Sequence, residues 1–489
     1  MEGDGRGGLA AIIWPSGAAL IALGVYLLTM APDLTWSHYG TDGGELATAA
    51  ATLGVPHPPG YPTYVLVGHM FSRLPLGNSI AFRLNLLSAV SGAVAVGLAT
   101  AAAGHWTRQN ARQPHGVAPL AAGLALAFMP LVWSQAIITE VYALNLALLA
   151  AFLWALLGRR PAWAVGLLLG LSVTTHLTSA LMLPLALVCT QRQGWSSLLG
   201  GLLLGLAPFL ALPLLAQSGS PIIWNRPQQL QGWWRIVSAR IYRPNVFALP
   251  ADRWAERVQQ WSRLFFAQFA WVGAALLPLG VSETWTKKSK QQAAILGTAS
   301  LYGAYAFGYN TTDAPVFFLP GLLLLVLPLA DAFSSIEDNG YTQGVAGSLG
   351  RKAVVFLLPL ALLMLNFNGL NLSDDWQVRR LVEPVLEEAP PDAILLTTGD
   401  RATFSLWYLH YAEGQRPDVI PVDSNLLAFA WYRERLAQRY PSLGRLQQDD
   451  LGAFRTYNAR FRPLCEVTFT LAGAADVSCT EPARVNGRP

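Results

Sequence analysis

Long apolar runs separated by short polar breaks fill the first three quarters of the chain, and they set its class. A bilayer core takes about 20 helical residues to cross. Residues 9–30 supply the first such run, behind a polar, Gly-rich start with Arg6. We read it as an uncleaved anchor, because the apolar stretch of a secretory signal is shorter, about 7–15 residues. Further spans are predicted at 79–103, 117–132, 135–157, 196–216, 263–281, 293–309, 316–331 and 352–370. Residues 162–190 are too long for one upright span, and Thr174, Thr175, His176 and Thr178 interrupt the middle. Two short helices meeting near His176 are therefore predicted, for about eleven spans in all.

Charge decides between one helix and two at that place. With two, Arg108, Arg112, Arg159, Arg160, Arg192, Lys287, Lys288, Lys290, Arg351 and Lys352 all fall on one side. That side is cytoplasmic by the positive-inside rule. The N-terminus is then cytoplasmic, while a first outer loop (31–78), a second (217–263) and everything after residue 370 lie outside. Composition agrees with a polytopic membrane protein: 53% hydrophobic and 13% charged residues, with mean hydropathy +0.36. A soluble protein of 489 residues is far more polar. The net charge of +4 does not indicate nucleic acid, because the basic residues sit in short loops between spans. The Ala-rich composition and short loops suggest a bacterial inner membrane.

After the last span the pattern becomes that of a soluble domain, so the chain divides into a membrane domain (1–370) and an extracytoplasmic α/β domain (371–489). An apolar strand at 394–398, a turn with a helix cap at Gly399 and Asp400, a helix over 401–411 and a strand at 418–422 form a βαβ unit with parallel strands. Cys465 and Cys479 near the end can form a disulfide if this domain is outside the cytoplasm, or remain two buried thiols. The loop 217–263 is rich in tryptophan and arginine, including Trp224, Trp233, Trp234, Arg226, Arg235, Arg240 and Arg243. A structural reading makes it an interfacial segment with aromatics at headgroup level.

The candidate chemistry lies in the first outer loop. Asp42 and Glu45 stand three residues apart, and Gly43 and Gly44 between them leave room for a ligand. A carboxylate at the water interface can stay ionised while a dry neighbourhood raises its basicity, as a general base for a hydroxyl requires. The structural alternative is a helix cap at Asp42 with Glu45 complementing the helix dipole. The run His57, Pro58, Pro59, Gly60, Tyr61, Pro62 makes a stiff turn. Glu140, with Gln135, Tyr142 and Asn145, marks the outer end of a span, where polar groups face a cavity or a neighbouring helix. His176 at a helix break has the same meaning, or is a satisfied core histidine. No Ser-His-Asp order, Walker loop or zinc-ligand spacing is present. Two carboxylates without further ligands make a weak divalent-cation site, so no cofactor is expected and a divalent cation between these acids stays open.

The segments Asp42-Gly43-Gly44-Glu45-Leu46, Val55-Pro56-His57-Pro58-Pro59-Gly60-Tyr61-Pro62 and Arg83-Leu84-Asn85 resemble the domain-of-unknown-function 2723 family. The likeness continues through Trp133-Ser134-Gln135, Glu140-Val141-Tyr142, His176-Leu177-Thr178, Gly399-Asp400, Arg416-Pro417-Asp418 and Trp431-Tyr432, and so spans nearly the whole chain. A glycine stands at position 43, where serine is usual, and Arg401 follows Gly399-Asp400, where asparagine is frequent. The family includes transmembrane O-mannosyltransferases and looks like a branch of the GT-C glycosyltransferases. The resemblance implies an all-α membrane core with an outer-face active site. There an inverting transfer moves a hexose, mannose among the candidates, from a polyprenyl-phosphate carrier to a protein or glycan hydroxyl. It casts Asp42 as general base, with Glu45 orienting the acceptor or sharing that role. His57, Tyr61, Glu140, Tyr142 and His176 would line the substrate cavity, and Arg83, then Arg240 and Arg243, would meet the leaving phosphate. Two rival classes remain at this point. One is a transporter or flippase for a lipid-linked or small polar substrate, with Asp42, Glu140 and His176 on its path. The other is an anchored binding protein whose tail recognises a partner.

Overall fold

The computed structural model describes residues 4–108, 116–338, 345–469 and 475–481. Of the basic loop residues, Arg112 and the side chains of Lys287 and Lys288 fall outside what it describes. The membrane part contains α1 (Asp4–Thr29), α2 (Gly43–Thr52), α3 (Pro62–Ser72), α4 (Ile80–Thr107), α5 (Ala118–Phe128), α6 (Pro130–Ala136), α7 (Tyr142–Leu157), α8 (Ala162–Thr175) and α9 (Leu183–Cys189). It continues with α10 (Trp195–Gly205), α11 (Leu212–Leu215), α12 (Leu230–Val237), α13 (Trp254–Gly308), α14 (Leu319–Asp338), α15 (Val345–Val355) and α16 (Leu357–Leu370). The tail adds α17 (Gln377–Glu388), β1 (Ile394–Thr397), α18 (Asp400–Trp407), β2 (Ile420–Asp423), α19 (Ala430–Arg439), α20 (Leu451–Asn458), β3 (Leu464–Phe469) and β4 (Ala475–Thr480).

Lipid gives no hydrophobic drive between helices, so close approach through small residues holds them together. The pair α8 and α10 is the clearest case. A Cβ on Gly166 would stand 1.9 Å from the Leu198 carbonyl oxygen, and one on Gly201 would stand 2.0 Å from that of Trp163. The buried helix α4 packs against α1, α5, α7 and α14. At one end Thr139 reaches the Asn85 side chain at 2.6 Å, and Asn85 donates to the carbonyls of Ala31 and Asp33. At its other end lie His105 and Arg108, with Arg160 of the segment after α7 close by. The basic ends of α4 and α7 therefore gather together, opposite the end that carries the first loop.

The break expected near His176 is present: α8 stops at Thr175, His176 is extended, and a 3-10 turn (Leu177–Met182) leads into α9. Helices α5 and α6 are bent by 68° at Pro130. The stretch called α13 doubles back on itself. Gln292 donates to the Val281 carbonyl at 3.1 Å, and the rings of Trp261 and Phe307 are 6.1 Å apart. No straight helix rising about 1.5 Å per residue allows either distance. Among the described residues, by length and composition six helices can cross a bilayer, or seven with α5 and α6 as one span, and three more apolar helices are shorter. The count of about eleven predicted from sequence is not reproduced on these criteria: three of the predicted spans are these shorter helices, and the predicted span 293–309 is the return arm of α13, of which only Ala251–Ser282 is counted.

The tail is an α/β unit with strand order β2-β1-β3-β4. β1 is parallel to β2 and β3, β4 is antiparallel, and Cys465 and Cys479 are bonded across β3 and β4. The tail locks onto the first loop. Arg379 bridges Asp33 at 2.8 Å and Glu413 at 2.7 Å, and the Trp36 indole donates to Ser405 at 3.0 Å. At Gly44, a Cβ would meet the Phe404 carbonyl oxygen at 2.3 Å, so α2 and α18 approach backbone to backbone.

Candidate active site

A 3-10 turn (Ser37–Asp42) delivers the chain to α2, with Asp42 at the helix entry and Glu45 in the first turn. The alternative reading of Asp42 as a helix cap is not met: its side chain accepts no hydrogen bond from the helix. It is 35% exposed and points toward His57, whose Nε2 lies 3.7 Å away. Glu45 differs in every respect. It is wholly buried, and its carboxylate accepts from the His57 backbone N–H at 3.1 Å, from His57 Nδ1 and from the Trp224 indole N–H. With both oxygens occupied, Glu45 has no free edge for an acceptor. This corrects the shared base role given to it: its place is to hold His57.

The turn that carries His57 is fixed from two sides. Val55 forms a bridge with Ile223, accepting from Trp224 N at 2.9 Å and donating to Ile222 O at 2.7 Å. Tyr61, in the left-handed region at φ 40°, aims its hydroxyl at His57 Nε2, 2.9 Å away. Burial pushes the His57 imidazole down, but Glu45 and Asp42 outweigh it and raise its pKa to about 10, so the ring is a cation at neutral pH. Burial raises Asp42 to about 7, with His57 opposing the rise and Glu45, Asp400 and Asp313 adding to it. The carboxyl of Glu140, buried at the turn before α7, is pushed well above its usual range by burial and then by Asp42, and accepts a hydrogen bond from the Val141 amide at 3.3 Å. The result is a ring of acids around one imidazolium, with Asp42 as its open member.

Several predicted residues stand elsewhere. Arg83, the first choice for the leaving phosphate, donates to the Leu76 carbonyl at 3.4 Å and forms no ion pair with the acids among the described residues. The reason is register: Ala81 and Asn85 take the inner face of α4, leaving Arg83 on its flank. His176 and Tyr142 are packed in an aromatic cluster with Phe317, and His176 Nδ1 pairs with Thr178 at 2.7 Å. The void there is about 10 Å³, too small for a sugar. They back Tyr61, whose ring stacks on His176 at 6.4 Å, and line no substrate cavity in this structure. Arg240 and Arg243 lie exposed on a 3-10 turn (Arg240–Asn245) whose Tyr242 ring is 6.1 Å from that of His57.

Sequence reasoning missed Asp313 and Asp400, which act on Asp42 through space, and assigned Trp224 to the membrane interface. Asp400 carried a signal, being part of a quoted motif, but was read as part of a helix cap; it is the first residue of α18, and the cap position is Gly399. Burial raises the Asp400 carboxyl, and His57 opposes this. Among the described residues no group of three or more His, Cys, Asp or Glu is arranged to hold a metal ion.

Residues 42–197 match the family model described as the protein O-mannosyl-transferase TMEM260 N-terminal domain, and residues 378–442 match TMEM260-associated domain 2. The chain is 27% identical to protein O-mannosyl-transferase TMEM260 of Mus musculus, over 91% of this chain and 68% of the mouse protein. It is 22% identical to protein O-mannosyl-transferase tmem260 of Dictyostelium discoideum, over 84% of this chain and 57% of that protein. The fold is similar to that of ArnT from Cupriavidus metallidurans bound to undecaprenyl phosphate, with TM-score 0.56, 13% identity and coverage of 93% and 92% of the two chains. The apo form of ArnT gives TM-score 0.51 at 14% identity.

Proposed function

We propose that this chain is a membrane glycosyltransferase that moves a hexose, in the manner of its O-mannosyl-transferase relatives, from a polyprenyl-phosphate carrier to a hydroxyl on the outer face of the membrane. The class is supported by those relatives and by the ArnT-like fold. One observation carries the mechanism: Asp42 is the acid of the cluster that is open, free of hydrogen bonds from its own helix and poised near neutral pH. A base so poised is both ionised and strong enough to take a hydroxyl proton.

In the proposed reaction the acceptor oxygen gives its proton to Asp42 and bonds to the anomeric carbon. The bond from that carbon to the phosphate oxygen breaks, and the phosphate leaves with the electron pair, inverting the centre. His57, fixed by Glu45 and Tyr61, keeps Asp42 ionised and oriented. Growing charge on the phosphate is met by Arg240 or Arg243. The turn that bears them continues to Phe247 and Leu249, at the mouth of an apolar cleft of about 780 Å³ lined by Trp254, Trp261 and Phe307. That cleft suits a prenyl tail, a ligand class that ArnT binds.

The test is sugar transfer by the Asp42→Asn variant in lipid nanodiscs. Loss of the base lowers turnover by roughly 10²–10⁴-fold. Unchanged turnover would remove Asp42 from the mechanism.

A further inference from the structure

A second cleft, of about 360 Å³, lies between the segment after α11 and the tail domain, and shares no lining residue with the prenyl cleft. Pro58, next in chain to His57, forms part of its wall, and so does Trp224, whose indole N–H reaches Glu45. The cleft therefore shares an inner wall with the acid cluster. Its other walls combine arginine with aromatic rings. Trp224 and Trp431 lie 5.2 Å apart and Phe429 and Trp431 6.1 Å apart, forming a continuous platform. Three arginines line the cleft and no carboxylate does. Arg226 is neutralised by a two-pronged pair with Glu434, whereas Arg235 and Arg240 have no ion-pair partner among the described residues.

A prenyl tail is a poor fit here, because guanidinium and amide groups interrupt the apolar surface. A polypeptide suits it better: aromatic platforms hold extended chain at low entropic cost, and guanidinium forks bind carboxylates in two-pronged fashion. We infer that this cleft receives the acceptor as an extended polypeptide segment carrying acidic residues beside its serine or threonine. Trp431 and Phe429 hold the chain, Arg235 grips a flanking carboxylate, and the hydroxyl passes Pro58 toward Asp42. The inference rests on the transferase reading of Asp42 and names the class of acceptor.

The experiment measures binding without donor, so that it can fail independently of transfer. Full-length protein in nanodiscs is titrated with a fluorescein-labelled nonapeptide bearing one threonine flanked by aspartates, and with the same peptide carrying lysines instead. The acidic peptide is expected to bind at least about tenfold tighter, and Arg235→Glu and Trp431→Ala each to weaken it about tenfold. Arg235 is exposed, so its replacement is compatible with folding. Binding of undecaprenyl phosphate should be unchanged in Arg235→Glu, and peptide binding should survive in Asp42→Asn. Equal affinity for the two peptides, or an Arg235→Glu variant that binds the acidic peptide normally, overturns the inference. So does Arg235→Glu weakening the lipid phosphate in place of the peptide, which makes the cleft a donor site.

Discussion

Replacing His57 with glutamine separates the proposed role of the imidazolium from that of the base. His57 is charged at neutral pH and lies 3.7 Å from Asp42, and it opposes the rise that burial imposes on that carboxyl. A pair of unit charges at this distance is worth roughly 1 kcal/mol in a water-like setting and roughly 4 kcal/mol at an effective dielectric of about 20. Because Asp42 is 35% exposed, the lower part of that range applies, discounted for solvent screening. About 1.4 kcal/mol corresponds to about one pKa unit. The sign follows from what is removed: losing a neighbouring cation disfavours the carboxylate, so the pKa of Asp42 rises from about 7 to roughly 8. The acid limb of kcat/KM, which follows the base in the free enzyme, should move up by the same amount. At about pH 7 the ionised fraction drops from about one half to about one tenth, a roughly fivefold loss that is largely recovered at about pH 9. The assay is transfer from a polyprenyl-phosphate mannose to a peptide, measured across pH in nanodiscs, with thermal unfolding to confirm that the variant is folded. A limb that stays put in a folded variant, or moves down, refutes the electrostatic coupling of His57 to Asp42.

Trp224→Phe leaves one oxygen of the buried Glu45 without its indole donor. A lost hydrogen bond to a charged group is expected to cost roughly 1.5–3 kcal/mol in unfolding free energy, read by denaturant titration. Gly44→Ala puts a methyl 2.3 Å from the Phe404 carbonyl oxygen, so α2 must part from α18. Overpacking costs about 1–3 kcal/mol, and because Asp42 immediately precedes α2, transfer should fall more steeply than stability does. Arg379→Ala leaves the buried carboxylate of Asp33 unpaired, and breaking a buried pair costs about 3–5 kcal/mol. Its partial exposure favours the lower end, and faster proteolysis between the first loop and the tail is the readout.

The order of apolar runs was enough to place this chain in a membrane, because no compact soluble fold can hide so much apolar surface. Local pattern also gave the interruption at His176, where threonines and a histidine break the helix, and the parallel pair β1 and β2, where two short apolar strands flank a helix. Asp42 was legible too, since an acid beside a span, between glycines and a proline-rich turn, is costly without a task. What the linear order withheld was every relation across the chain. Glu45 and Asp42 look alike three residues apart, yet one is sealed by Trp224, some 180 positions away, and the other is left open. Arg83 looked suited to a phosphate, but α4 turns its inner face through Ala81 and Asn85. Asp313 and Asp400 become neighbours of Asp42 only after α14 and the tail have packed. Sequence reports which groups are expensive to bury; only packing decides which of them is buried, paired or left facing an open cleft, because solvation and Coulomb energies depend on distance in space and not along the chain.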